Sequence, residues 1–399
     1  MITNNKYKYY FYLSLLFLTF ILLFKATLTL SISYKEALNV FVNHSILSLI
    51  TNSSIYIFGQ NDIALRLPFI LFYIFSVILM YKITENYFRY EKDRYISIVI
   101  FMMLPGVLSA ALLVNSAIVV TFFTLLYIYY YQRYKQHSYI LLLFFLLIDN
   151  SFAILYLALF FYSIKNKDKK FIIFTLVLFC ISMYIYGFST AGKPKGFLVD
   201  TLGIYATIFS PFLFLYFLYT IYRAGIRNER TLIWYISTTA LLLSLIFSFR
   251  QRVYIEDFAP YVVISMPLML KTFFHAYRVR LKEFRRNYNI LVFLVLGMLS
   301  INVVLTFINK PLYLVLPHES KHFVYEYHFV RELVDELSKR GVTNVTTDNE
   351  ELALRLKFYN IKKGDDYLLT LKACDYPSER ISIKYYGKEV FVAYLTKLK

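Results

Sequence analysis

Apolar runs recur along this chain from Tyr9 to Phe307, separated by short loops rich in lysine and arginine. That pattern limits the fold more than any motif does. About 20 apolar residues span the hydrocarbon layer of a bilayer as a helix, because the helix satisfies its own backbone donors and acceptors. Of the 399 residues 59% are hydrophobic and the mean hydropathy is +0.54, whereas soluble domains are roughly half apolar. The pattern therefore predicts an all-α polytopic membrane bundle of about eleven transmembrane helices. They are placed at 9–30, 67–84, 95–114, 116–131, 138–148, 151–164, 171–188, 202–222, 231–249, 261–277 and 289–308. Residues 1–308 make the membrane domain, with 31–66 as a long first loop, and 309–399 make a small soluble α/β or α+β domain. The first run follows Lys6 and Lys8 and is too long for a signal-peptide core, so it reads as a retained helix.

Loop charge sets the expected orientation. The net charge of +18 lies in the loops between apolar runs, which fits membrane orientation and not nucleic-acid binding. Clusters at Lys82–Arg94, Arg133–Lys135, Lys165–Lys170, Arg223–Arg230 and Lys271–Arg286 fall on the side of the N-terminus. Far fewer cations, among them Arg66, Lys193, Lys195, Arg250 and Arg252, fall on the other side. The N-terminus is therefore expected in the cytoplasm and the C-terminal domain outside; as the sequence carries no clear eukaryotic signal, the expected location is a bacterial inner membrane. Splitting 138–164 at Asp149-Asn150 and 95–131 at Asn115 keeps this parity. Cys180 lies in an apolar run and Cys374 in the tail, so the two cysteines suggest no disulfide framework.

Two outer regions have their own pattern. In the first loop Ala37–Val42 and Ile46–Phe58 read as helices lying at the interface. In the tail, His322–Arg340 has helical periodicity ending at Gly341, and Val342–Thr346 reads as a strand. Asn349 is placed to cap a helix over Glu350–Phe358. Asp366–Lys372, Ile381–Tyr386 and Val390–Thr396 read as strands, the last two joined through Gly387-Lys388.

Ionisable groups near membrane depth are costly and mark functional candidates. Glu36 opens the long loop and is placed to act as a general base. Arg250, Arg252 and Tyr254 beside Glu256 and Asp257 form the second cluster; an arginine fork suits a phosphate that gains charge as it leaves. Lys193 and Lys195 around Pro194 are a weaker cluster of that kind, and Arg66 joins the cations facing the same side. Asp62, Asp149 and Lys35 are supporting polar groups. A salt-bridged loop accounts for the same acids and arginines without any catalysis. His44 is a lone imidazole without partners at helical spacing, so no metal site and no cofactor are indicated; a divalent metal would find His44 alone. No P-loop, G-x-G-x-x-G, C-x-x-C or H-E-x-x-H pattern occurs.

The order Tyr34-Lys35-Glu36-Ala37, then His44, then Phe58-Gly59-Gln60-Asn61-Asp62-Ile63-Ala64-Leu65-Arg66-Leu67-Pro68 resembles the GT-C glycosyltransferases of the protein O-mannosyltransferase and lipid A aminoarabinose transferase type. The resemblance covers about residues 1–130 in motif and extends to about 308 in topology only. It implies inverting transfer of a sugar from a polyprenyl-phosphate donor to a lipid, glycan or protein acceptor on the outer face, with membrane lipids as partners and no nucleic acid. The family's acid pair falls on Lys35 and Glu36, which leaves Glu36 as the base. A second family acid falls on Asn115, and Ser45 and Ile46 stand where the family has two prolines. A silent relative that binds carrier lipid or a partner is the alternative, and a transporter or flippase the second; the latter predicts repeats and mid-membrane charges that the sequence lacks.

Overall fold

The computed structural model describes residues 3–187, 196–227, 229–372 and 378–398. The described chain is mostly helical, with one small sheet near its end. Polar residues ahead of the apolar runs start the helices. The side chains of Ser33, Ser45, Asn115, Ser138, Asp168, Thr231 and Asn349 each accept a backbone N–H in the first turn that follows, satisfying donors that a helix start leaves open.

Among the described residues four helices are long and apolar enough to cross a membrane: Tyr9–Thr29, Asp62–Thr84, Lys169–Tyr186 and Lys282–Phe307. Two more candidate spans are bent pairs. Glu91–Met103 and Pro105–Leu112 meet at 53°, and Leu198–Phe209 and Pro211–Ile226 at 105°. Counting each pair as one gives up to six spans, against the eleven segments expected from hydropathy. The expected continuous helices at 95–114 and 202–222 are both broken by proline, which removes a backbone donor and clashes with the preceding turn. At the sharper break Ser210 takes φ +80°, a conformation that disfavours a residue with a Cβ. Tyr139–Ile148, Phe152–Asn166 and Leu232–Ser248 are shorter apolar helices. The split at Asp149-Asn150 is present. Many large apolar side chains are exposed, among them Ile140, Tyr184, Leu215 and Phe293, which fits a membrane protein.

The chain forms two compact units. The first comprises residues 1–16, 71–111 and 115–306. In it Phe152–Asn166 packs on Lys169–Tyr186 and Leu232–Ser248, and the short helix Ile255–Val263 packs on Leu232–Ser248, Ser116–Tyr134 and Leu198–Phe209. The side chain of Tyr261, fully buried, donates to the carbonyl of Ser151 at 2.9 Å.

The second unit comprises residues 17–70, 112–114 and 307–399. Its strands are β1 (Thr346–Thr347), β2 (Tyr367–Thr370), β3 (Ser378–Tyr385) and β4 (Lys388–Lys397), in sheet order β1-β2-β4-β3. β1 pairs parallel with β2, and β4 runs antiparallel to both β2 and β3. The helices Val330–Lys339 and Glu350–Phe358 supply Leu333, Leu337, Leu352 and Leu356 to a core with Leu369, Ile381, Ala393 and Leu395. Asn349 caps the second of these helices, as expected.

Three details differ from the sequence reading. The helix expected from His322 begins only at Val330, because Phe329 sits at φ +64° and short 3-10 turns precede it. The strand expected over Val342–Thr346 shrinks to β1, with one further bridge from Asn344 to Lys362. The β3–β4 turn lies on Tyr386 and Gly387, at φ +52° and +83°, the backbone pattern of a two-residue type I′ hairpin.

Candidate functional site

The turn Asp149–Ser151 and the segment Arg250–Asp257 form a site within the first unit. Helix Tyr139–Ile148 stops at Asp149, whose Oδ1 accepts from the backbone N–H of Ser151 at 2.9 Å and its hydroxyl at 2.6 Å. Helix Leu232–Ser248 ends just before the arginines, and the Ser248 carbonyl accepts from the backbone N–H of Phe197 at 2.8 Å. Asp257 lies in the first turn of Ile255–Val263.

Together these elements enclose a small cleft lined by Asn150, Ser151, Gln251, Arg252, Tyr254 and Asp257. Its volume of about 40 Å³ admits waters and not a sugar ring. Arg252 and Val253 also form one wall of a wider groove of about 410 Å³, whose other wall includes Val199, Asp200, Thr201, Ile204 and Thr207. Arg252 thus stands between a polar cleft holding a carboxyl group and a larger, partly apolar groove. Arg252 and Tyr254 are exposed, and Asp257 is half-buried. Burial first, then the carboxylates of Asp149 and Glu256, push the Asp257 carboxyl up to about 7. A carboxyl poised there exchanges a proton readily at neutral pH. Arg250 and Glu256 are exposed and line neither the cleft nor the groove.

Glu36 does not look onto an open cavity, as the base reading requires. It is 1% exposed and belongs to the second unit. Its Oε2 accepts from Arg66 Nη2 at 2.8 Å and from the backbone N–H of Ser33 at 3.0 Å, and its Oε1 accepts from the N–H of Val114 at 3.1 Å. The Ser33 hydroxyl accepts from the Glu36 N–H in return, closing a capping box. Arg66 has no exposed surface and also donates to the carbonyls of Leu30 at 3.1 Å and Ser31 at 2.9 Å. Ala37 and Leu65, the chain neighbours of Glu36 and Arg66, form a buried apolar cluster with Ile32 and Phe358. The reason is simple: a carboxylate taken out of water needs a cation and donors to remain charged, and both are supplied here from the backbone and from one turn of Asp62–Thr84.

Asp62 is 6% exposed and lies 3.7 Å from Arg66 and 3.8 Å from Arg331. The Tyr359 hydroxyl donates to its Oδ1 at 2.8 Å and accepts from the N–H of Ile32 at 3.1 Å. Arg355 donates to the carbonyls of Ile32 and Glu326, and Arg331 to that of Leu28. Three arginines thus hold the carbonyls of Leu28, Leu30, Ser31 and Ile32. Neither Arg66 nor Asp62 faces a phosphate-sized opening; both belong to this buried network.

The remaining candidates are scattered. Lys35 and His44 are exposed on the first loop. Asn115 caps helix Ser116–Tyr134, accepting from the Ala117 N–H at 3.1 Å. Lys193 and Lys195 lie outside the described residues. Among the described residues no group of three His, Cys, Asp or Glu side chains is placed to share a metal ion. The sequence reading missed Asn150 and Ser151 as cleft residues, and Arg331, Arg355 and Tyr359 as partners of the first loop. Only the amphipathic placement of Arg355 between Leu352 and Leu356 hints at its burial; long-range partners leave no local signal.

The chain matches no protein-family model and no curated protein sequence.

Proposed function

We propose that the chain is a membrane glycosyltransferase of GT-C-like topology, acting on a polyprenyl-phosphate sugar at the face where the Arg252 groove opens. In this reading the apolar segments that fall short of a full span pair up across the bilayer, and the C-terminal domain lies outside. The reading draws on the Gly59–Pro68 resemblance and on the division of roles around Arg252. The acceptor O–H attacks the anomeric carbon, its proton passes to Asp257, and the bond from that carbon to the phosphate oxygen breaks. Arg252 meets the charge that the departing polyprenyl phosphate gains. Val199 and Ile204 give the groove an apolar wall for the carrier chain. Glu36 is then a buried structural acid and not the base.

The observation that carries the proposal is that Arg252 lines both the small cleft holding the half-buried Asp257 and the wider groove, so that a sugar lies in the groove and only the acceptor hydroxyl, or a water bridging to it, enters the cleft. The test supplies membranes containing the chain with short-chain polyprenyl-phosphate hexoses and pentoses and measures release of polyprenyl phosphate. Asp257→Asn and Arg252→Ala are expected to abolish release at unchanged protein level. Full release by Asp257→Asn would overturn the assignment.

The silent-relative reading is favoured by one observation: Glu36, the acid at the family position, has its carboxylate fully engaged. It predicts no release from the unaltered chain with any donor, together with saturable binding of the carrier phosphate.

A further inference from the structure

A second cationic site lies within the first unit, at the ends of Pro211–Ile226 and Met266–Val279. Arg223, Arg227, Arg230 and Lys271, with His275, line a cavity of about 400 Å³. A cavity of about 510 Å³ shares Arg223, Arg227 and His275 with it and adds Tyr219, Tyr222, Ile226, Val279, Arg280 and Tyr288. One acid, Glu229, also lines the first cavity.

Basic loops at a membrane surface set orientation by their Lys/Arg excess alone. Here the cations converge on a concavity, and their partners are not carboxylates. Arg230 donates to the carbonyl of Gly225 and lies over the Trp234 ring at 5.5 Å; Arg223 donates to the Tyr219 hydroxyl; Arg280 lies over the Tyr288 ring at 4.3 Å. Among the described residues none of Arg223, Arg227, Arg230, Lys271 or Arg280 has an acidic side chain within ion-pair distance, whereas the neighbouring Arg278 pairs with Asp93. Carbonyls and rings orient these cations without neutralising them. The adjoining wall is apolar and open: Tyr222, Ile226 and Val279 are each more than 60% exposed. An anion with a hydrocarbon tail fits such a pairing of surfaces, and a free anion does not use the second one.

We infer that this cleft binds the phosphate headgroup of an anionic lipid, its acyl or prenyl chain lying along Tyr222, Ile226 and Val279. Loop charge assigns the cleft to the cytoplasmic side, opposite the Arg252 groove, so the site does not depend on the transferase reading. Its chemistry is general: converging guanidinium groups give a phosphate bidentate, charge-assisted hydrogen bonds, and basic pockets between helices at that face recognise anionic headgroups.

The chain carries one tryptophan, Trp234, beside the cleft, and its fluorescence reports occupancy. Purified full-length protein in zwitterionic micelles is titrated with phosphatidylglycerol and, separately, with inorganic pyrophosphate, and lipids retained on the protein are counted by intact mass. The expected result is saturable binding of phosphatidylglycerol, weakened about a hundredfold by the triple variant Arg223→Gln/Arg227→Gln/Lys271→Gln. A variant that removes the same charge from another exposed basic stretch, Lys167→Gln/Lys169→Gln/Lys170→Gln at the start of Lys169–Tyr186, is expected to bind as the parent does. Equal weakening in both variants would reduce the effect to diffuse charge and overturn the site. Pyrophosphate binding as tight as the lipid's would overturn the lipid assignment. Folding of the triple variant is checked by its thermal unfolding profile; if it fails to fold, Arg227→Gln alone, at an exposed position, carries the same comparison with a smaller expected loss.

Discussion

Arg66 Nη2 lies 2.8 Å from Oε2 of Glu36, and neither side chain reaches solvent. The two residues stand 30 positions apart and join the start of the first loop to the first turn of Asp62–Thr84. An ion pair in this setting makes each partner indispensable to the other, because removing one strands a buried charge.

Arg66→Ala is therefore expected to destabilise the protein by about 3–5 kcal/mol, and Glu36→Ala by a comparable amount. Thermal unfolding in detergent checks this. The double variant is expected to lose less than the two single losses added together, since no charge is left unpaired. Additive losses would mean that the pair does not interact as placed.

Asp257→Asn separates stability from activity. The Asp257 carboxyl is raised to about 7 in the folded chain from an ordinary value of 3.8. A folded-state value above the unfolded one means that folding takes up a proton, so this group's contribution is complete below pH 4 and is lost as pH rises to 7. Asn has no proton to lose. At pH 8 the variant is expected to unfold at a higher temperature than the parent, and the proposed transferase reading expects it to release no polyprenyl phosphate. Unfolding profiles at pH 5 and pH 8 test the sign; a parent that gains stability between them, relative to the variant, would contradict it.

Under the proposed transferase reading, release of polyprenyl phosphate is expected to rise with pH through about 7, as Asp257 becomes free to take the acceptor proton. A rate profile flat from pH 5 to 8 would exclude that role for Asp257.

His328 is 1% exposed, and its Nδ1 shares a hydrogen bond with the Tyr313 hydroxyl at 2.9 Å. Burial first, then Lys310 and His322, lower its pKa to about 3 from 6.5. A depressed value means that folding releases a proton: the neutral ring's contribution is complete above pH 6.5 and is lost as pH falls towards 3. Hydrogen exchange of Val330–Lys339 in the full chain is expected to accelerate between pH 6 and 4, after correction for intrinsic rates. His328→Phe should lessen that acceleration, and an identical pH response in the variant would rule His328 out.

Tyr359→Phe removes a donor to Asp62 and an acceptor for the Ile32 N–H at once. Leaving both buried is expected to cost about 1–3 kcal/mol. Proteolysis of the first loop should become faster than in the parent; an unchanged rate would mean that water replaces the phenol.

The parts of this protein that follow from local chemistry were legible in the sequence. The two first-loop helices, the break at Asp149-Asn150, the helix capped by Asn349 and the closing hairpin all rest on neighbours a few residues apart. Hydropathy could not separate a continuous span from a bent pair at Pro105 or Pro211, because apolar composition is the same in both; it is the prolines that mark the breaks. Among candidate residues, Asp257, Arg252 and Tyr254 do share a cleft. Glu36 ranked first by position and is instead consumed by Arg66, a partner that local spacing does not reveal.

Apolar runs, basic loops and capping residues determined that this chain is mostly helical with long apolar segments and where several of its helices begin, since each depends on short-range solvation and hydrogen bonding. Tertiary structure alone decided which ionisable groups are neutralised and which stay available. Glu36 and Asp257 are both carboxylic acids beside arginines in sequence or motif. One is held by a buried guanidinium and two backbone amides, the other by burial beside Asp149 and Glu256. The charge state and reach of an acid are set by what surrounds it in space, and those neighbours come from distant parts of the chain.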